Sequence, residues 1–470
     1  MNSGAQKIAF RQGKSREAKT FHFKALLQPG GWISSAYVTI DARGIITAIS
    51  QTHSGDAGVE AVNGFALPGF LNAHSHAFQY AMAGMAEKHP PDTVDDFWTW
   101  REAMYACALS LDPSEMQAVA SMLYVEMLKR GYTHVAEFQY LHHDKNGKPY
   151  DNLAEMSVCL VAAAAITGIK ITLVPVFYQR GGFGKNAEPA QRRFCFRNTD
   201  QYFKLLEDCS GVVKSITTAR LGFGVHSLRA ADGDDIIRVA QHGPTNLPFH
   251  IHAAEQLKEV NDALSYLKQR PVEWLLNNLD LNERHNLIHC THLSDVEVER
   301  LARSNANVVL CPGTEANLGD GIFRLTDFSR HSNHWSIGTD SHISLNPLED
   351  LRWLDYTQRL STHKRNTFPD GASRLMANTF FSGKRAMGVS ASDFFQTGQP
   401  LDAVVYDGDS PLLSAAGIEH LLPTLIYTSD SAAVMGTIVD GEWIVKGQAH
   451  KNQLEILRDF QAVIKNISVK

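Results

Sequence analysis

Between residues 65 and 345 the chain alternates short apolar runs with longer segments of helical period, and this alternation limits the possible folds more than anything else in the sequence. The runs lie at 65–73, 133–140, 169–178, 221–226, 247–253, 286–290, 307–311 and 335–340. Runs this short and apolar suit strands buried on both faces, as in a parallel sheet covered by helices. The intervening segments 113–130 and 234–242 carry apolar residues at helical spacing, and 151–168 is Ala-rich and helical. The link 194–220 is less regular. Eight strands alternating with helices predict an α/β fold, a (β/α)8 TIM-like barrel over residues 65–384.

Segments of β pattern flank this region. Val38-Thr39-Ile40 and Ile45-Ile46-Thr47-Ala48-Ile49 are separated by Asp41-Ala42-Arg43-Gly44, and similar runs stand at 402–407 and 436–442. Residues 21–64 and 385–455 are expected to pair into one small β-sandwich domain, with 456–470 as a C-terminal helix or tail and 1–20 as a flexible extension. The length of 470 residues, 44% of them hydrophobic, suits one large and one small globular domain. A net charge of −6 offers no basic footprint for nucleic acid or an anionic membrane, so an anionic substrate would need local arginines. No uninterrupted apolar stretch is long enough to predict a transmembrane helix. The first twenty residues carry Lys7, Arg11, Lys14, Arg16 and Lys19 and lack the apolar segment of a secretory signal. Cys107, Cys159, Cys195, Cys209, Cys290 and Cys311 are scattered without a CxxC, which argues against a disulfide framework and for the reducing cytoplasm.

Every predicted strand ends in polar or charged residues, where a barrel of this kind places its active site. The first run leads into His74-Ser75-His76, and residues two apart in a strand share a side. Both imidazoles can therefore face one point, which suits a divalent metal such as zinc. The fifth run ends His250-Ile251-His252-Ala253-Ala254-Glu255, the sixth Ile288-His289-Cys290-Thr291-His292 and the eighth Gly338-Thr339-Asp340-Ser341-His342. An HxH pair alone is a weak signal, but imidazoles and carboxylates from four strand ends at one mouth are poorly explained as separate structural residues. Three imidazoles and one carboxylate can hold a metal and leave one position for water. A general acid/base must then carry a proton to the leaving group. Glu255, three residues past His252, can be aimed at that water by a short turn. His250 competes with His252 as ligand because both share a face, and His289 competes with His292 for orienting the attacked group.

The runs PGFLNAHSH (68–76), HIHAAEQ (250–256), LIHCTHL (287–293) and GTDSH (338–342), in this order, resemble the mononuclear deaminase-like branch of the amidohydrolase superfamily. The resemblance implies His74, His76, His252 and Asp340 as metal ligands, Glu255 as proton shuttle and His289 as the residue stabilising the attacked centre. It implies one Zn2+ per subunit, and iron or manganese can use the same ligands. No carboxylated lysine is evident around Val225-His226-Ser227. A scaffold without catalysis would be expected to have broken ligands, and here all are present.

Further runs, HSHAFQ (74–79), FWTWREAMY (97–105), YQRGGFG (178–184), VHSLRA (225–230) and TEANLGDGIF (314–323), resemble the N-formimidoyl-L-glutamate deiminases of histidine degradation. That resemblance implies hydrolysis of N-formimidoyl-L-glutamate to N-formyl-L-glutamate and ammonia in a homodimer. The substrate carries two carboxylates, which suit the planar fork of arginine. The resemblance assigns Gln79, Arg101 and Tyr140 to one carboxylate, and His226 with Arg229 to the other. On the residues alone, Arg101 could as well be a helix-surface charge lying over Trp98, and Arg180 and Arg229 solvated loop charges. Gly181-Gly182 and Gly319-Asp320-Gly321 lack Walker A spacing and read as tight turns. The nearest alternative is another deaminase of the same branch acting on guanine, another purine or a triazine, which would favour stacking side chains over paired arginines.

Overall fold

The computed structural model describes residues 17–53, 58–87 and 96–468. Most of the extension expected at 1–20 lies outside the described residues, and Lys19 and Thr20 already belong to a strand. Eight parallel strands form the barrel: β1 Phe70–Ser75, β2 Tyr132–Gln139, β3 Lys170–Phe177, β4 Phe223–Ser227, β5 Phe249–Ala253, β6 His285–His289, β7 Asn307–Leu310 and β8 Trp335–Ile337. Each pairs with its successor. The ring closes just past β8, where the Asp340 N–H donates to the His74 carbonyl at 3.0 Å and the His76 N–H to the Asp340 carbonyl at 3.3 Å. Small residues permit the close approach of these backbones. A Cβ on Gly338 would stand 2.7 Å from the His74 Cβ, and one on Gly224 would run into the His250 carbonyl.

The helices begin where their sequences supply caps. In α1 (Phe97–Ser110) Asp96 and Thr99 form a capping box, and in α2 (Pro113–Lys129) Asp112 and Glu115 do so with Pro113 in the first turn. The irregular link 194–220 contains a helix at Thr199–Lys214. Asn198 caps it by accepting the Gln201 N–H at 3.1 Å, while Tyr202, Leu205, Leu206, Cys209 and Val213 turn inward at helical spacing.

The apolar run 65–73 proves to be two strands. Its first half ends the strand Val59–Pro68 of a second sheet, and its second half is β1 of the barrel. The change of sheet falls at Gly69, where a Cβ would collide with the Thr133 side chain of β2. The second sheet has eight strands drawn from both ends of the chain, joined where Ala403–Asp407 lies antiparallel to Val59–Pro68. Lys170 of β3 ties barrel to sheet by ion pairs of 2.7 Å with both Asp402 and Asp440. The C-terminal helix Gln453–Ser468 packs on α2. Among the described residues no helix is long and apolar enough to cross a membrane.

Candidate metal centre and substrate cavity

The end of β1 delivers two imidazoles, that of β5 a third, and the turn after β8 a carboxylate. The Nε2 of His74 lies 3.1 Å from that of His76 and 3.0 Å from that of His252. Asp340 Oδ1 lies 3.5 Å from His74 Nε2 and 3.2 Å from His76 Nε2. A tetrahedral ion at zinc–nitrogen and zinc–oxygen distances separates its donors by about 3.3 Å, so the set is already spaced for one cation. The tautomers point the same way. His76 Nδ1–H donates to the Phe138 carbonyl at 3.0 Å and His252 Nδ1–H to the His226 carbonyl at 2.9 Å. Carbonyls only accept, so in the imidazole form the Nε2 of both rings is a bare lone pair. One proton on His74 Nε2 cannot satisfy both of them and Asp340, whereas a cation among the four atoms satisfies all. Burial and then His76 lower the His74 pKa to about 3. Burial opposes ionisation of Asp340, but the bonds from His74 and His76 prevail and hold its carboxyl well below the usual range.

His250 is resolved as a structural residue. It lies two residues before His252 on the same strand, and its Nε2–H donates to the Ala386 carbonyl at 3.1 Å. His292 is not among the four donors. His289 is brought to the centre, with its Nε2 3.6 Å from Glu255 Oε1 and 3.7 Å from Asp340 Oδ2. Its Nδ1–H donates to Glu315 Oε1 at 3.3 Å. Burial alone would lower the His289 pKa, but Glu255, Glu315 and Asp340 raise it to about 10. Burial raises the Glu255 pKa against the opposing pull of His289 and Arg229. The backbones of Ala254, His289, Cys290, Asp340 and His342 are left-handed, at φ 53°, 70°, 53°, 48° and 66°. Each such non-glycine residue costs about 1 kcal/mol or more, and their concentration at the strand ends marks where the fold gives up stability for geometry.

Four carboxylates in and behind this site were not singled out from the sequence. Glu315 orients His289 and also accepts the Cys311 N–H at 2.9 Å. Glu259 accepts the N–H groups of Ala254 and Glu255 at 3.2 and 3.1 Å. Asp320 bonds Gln256, and its pKa is pushed up to about 9, first by burial and then by Glu255. Glu137 bonds Ser75 and Ala77 on either side of His76, and burial, opposed by its hydrogen bonds, brings its carboxyl up to about 7. The run 314–323 signalled Glu315 and Asp320 without assigning them a task.

His76, His252, Asp340 and Glu255 border one cavity, together with Gln79, Arg101, Tyr140, His226 and Arg229. His74 is fully buried. Gln79 Nε2–H donates to the Tyr140 hydroxyl at 3.0 Å, and its Oε1 is left without a partner. The Arg101 guanidinium lies 4.4 Å over the Trp98 ring, as a snorkelling surface charge would, yet it also faces the cavity and its Nε is buried without a partner. Arg229 is held by Glu255 at 3.4 Å and Glu259 at 3.8 Å, so it is no solvated loop charge. Arg180 does pair outside the cavity, with Asp232 at 2.5 Å. Burial and then Arg229 keep the His226 pKa well below its usual value, leaving a neutral ring beside a cation.

A (β/α)8 barrel that presents three imidazoles, one carboxylate and a buried acid at its strand ends has the makings of a metal-dependent hydrolase. The chain belongs to the amidohydrolase family, which it matches over residues 65–444. A formimidoylglutamate deiminase from Pseudomonas aeruginosa is 40% identical to it, covering 94% of this chain and 98% of that protein. A crystal structure of an amidohydrolase from Brucella melitensis is similar at a TM-score of 0.89 and 38% identity, over 96% of this chain and 100% of that one. A 5-methylthioadenosine/S-adenosylhomocysteine deaminase from Natronomonas pharaonis is 26% identical, over 90% of this chain and 91% of that protein.

Proposed function

We propose that the protein is a metal-dependent formimidoylglutamate deiminase, a hydrolase of C–N bonds that converts N-formimidoyl-L-glutamate and water to N-formyl-L-glutamate and ammonia. In this reading it is a cytoplasmic homodimer of histidine degradation that carries one zinc per subunit. The observation that carries the reading is the meeting, in one cavity, of the four-donor centre with Glu255 and of two arginines, Arg101 and Arg229, on the same walls. The likeness to the Pseudomonas aeruginosa deiminase over nearly the whole of both chains supports it.

His74, His76, His252 and Asp340 would hold the metal, which when bound supplies a water acidified toward neutrality. Glu255 accepts the proton of the attacking water and delivers it to the departing nitrogen, a task suited to a carboxyl whose pKa burial has raised. The C–N bond to the imino nitrogen breaks as that nitrogen takes the second proton of the water, so that ammonia leaves and the carbon keeps the oxygen as a formyl group. His289, cationic between Glu315 and Glu255, stabilises the charge that develops at the attacked carbon's oxygen. Gln79, Arg101 and Tyr140 receive one substrate carboxylate, and His226 with Arg229 the other. Ammonia release from formimidoylglutamate, formimidoylaspartate and guanine, with metal analysis on the same sample, tests the reading. Turnover should be highest on formimidoylglutamate, and preferred turnover of guanine would overturn it.

A further inference from the structure

Strand β2 carries a carboxylate that the proposed reaction does not use. Glu137 is 1% exposed, and all its partners are neutral donors. Its Oε2 accepts the Ser75 hydroxyl at 2.7 Å and the Tyr124 hydroxyl at 3.1 Å, and its Oε1 accepts the Ala77 N–H at 2.6 Å. An ionised carboxylate at this depth is costly unless a positive charge stands near it. The next residue, Phe138, takes the Nδ1–H of His76 on its carbonyl. Two successive residues of β2 thus grip Ser75, His76 and Ala77, the stretch that aims the imidazole pair. Asp340 is the one anionic group among the four donors, so a divalent cation there leaves one positive charge unbalanced by its ligands.

We propose that Glu137 is a positioning residue for the metal-binding pair. It clamps Ser75 and Ala77 so that the Nε2 atoms of His74 and His76 stay converged, and its negative charge complements the bound cation from behind. The proposal rests on the metal-site reading of the four donors.

The test is zinc affinity of the full-length protein, stripped and reloaded, measured by competition with a chromophoric chelator, alongside thermal unfolding of the apo and zinc-loaded forms. The unaltered protein should take up one zinc. If it does not, the metal-site reading itself fails, whatever the role of Glu137. Glu137→Gln keeps the shape but removes the charge and one acceptor, and Glu137→Asp keeps the charge but shortens the reach. Both should raise the zinc Kd by roughly 10- to 100-fold, the usual effect of groups that orient ligands, and shrink the zinc-induced rise in Tm. A role confined to folding would lower the Tm of both forms alike and leave the Kd within about twofold, below that range, and this result overturns the proposal. Ser75→Ala deletes one of the three hydrogen bonds with little change in volume and should raise the Kd by about tenfold. If the Glu137 variants do not fold, this variant decides alone, and an unchanged Kd overturns the proposal.

Discussion

Arg101 is the side chain whose replacement tests most directly how the cavity chooses its substrate. Its guanidinium sits 4.4 Å from the Trp98 ring and 5.4 Å from that of Tyr105, and it borders the cavity. Its planar fork is therefore oriented by aromatic faces at the cavity wall. Arg101→Met keeps the apolar stem and removes the fork. A hydrogen bond to a charged partner contributes about 1.5–3 kcal/mol, and each 1.36 kcal/mol is a factor of ten. The kcat/KM for formimidoylglutamate should fall roughly 10- to 150-fold. The folded protein loses only stacking on two rings, about 0.5–1 kcal/mol, so its Tm should move by no more than about 2–4 °C. Two analogues make the assay specific: N-formimidoyl-4-aminobutyrate lacks the α-carboxylate, and N-formimidoyl-L-2-aminobutyrate lacks the distal one. On the analogue without the carboxylate that Arg101 binds, the replacement should cost less than about threefold, while the full loss persists on the other. Equal losses on all three substrates would refute the reasoning, since Arg101 would then act through the packing of α1 and not through a carboxylate.

The other expectations concern Glu255, the barrel seam and acid stability. Glu255→Gln should abolish turnover, a loss of at least about 100-fold, with metal still bound, and near-normal ammonia release would remove Glu255 from that role. Gly338→Ala would drive a Cβ to 2.7 Å from the His74 Cβ and 2.9 Å from its N. It should cost about 1–3 kcal/mol and lower metal content, so an unchanged Tm and full metal loading would contradict the close-packed seam. His142 is held to a pKa of about 3, first by burial and then by His143, against its bond to the Val176 carbonyl. A folded pKa below the unfolded value of 6.5 means that its contribution is fully present above pH 6.5 and is lost as pH falls toward 3. The contribution is at most about 4–5 kcal/mol. His142→Gln should therefore lose less stability than the unaltered protein between those limits in denaturant titrations, and equal losses would exclude His142 as a cause of acid unfolding.

The four donor residues were legible because strand periodicity and strand ends are local properties. His74 and His76 share a face by parity alone, and Asp340 ends the last apolar run. Parity could not separate His250 from His252. What separates them is the Ala386 carbonyl, 136 residues along the chain, to which His250 is bonded. The same limit hid the change of sheet at Gly69, since strands buried in two sheets read as one apolar run. It also hid Glu137, because a carboxylate inside a strand reads as a solvated residue until Ser75, Ala77 and Tyr124 are seen to bond it. Arg229 was visible as a cation, but its commitment to Glu255 and Glu259 depends on the turn after β5. Residue type and spacing show which groups can do chemistry; long-range packing decides which of them are already engaged.

The placement of the four donors also bears on how the barrel is closed. The β7–β8 ladder runs through three residue pairs, Val308 with Trp335, Val309 with Ser336 and Leu310 with Ile337. The seam between β8 and β1 has a single bridge, Ser75 with Asp340, helped by Asn72, which accepts the Thr339 N–H at 2.9 Å and donates to the Thr339 hydroxyl at 2.7 Å. This shortest join of the ring is flanked by His74 and His76 on one side and Asp340 on the other, with His252 reaching them from β5. A cation shared by these residues would link both sides of the seam, so part of its binding free energy would act as stability of the closed barrel. That energy would also offset the left-handed backbone of Asp340. The same geometry that leaves the ring thin at this point brings the four donors within reach of one another.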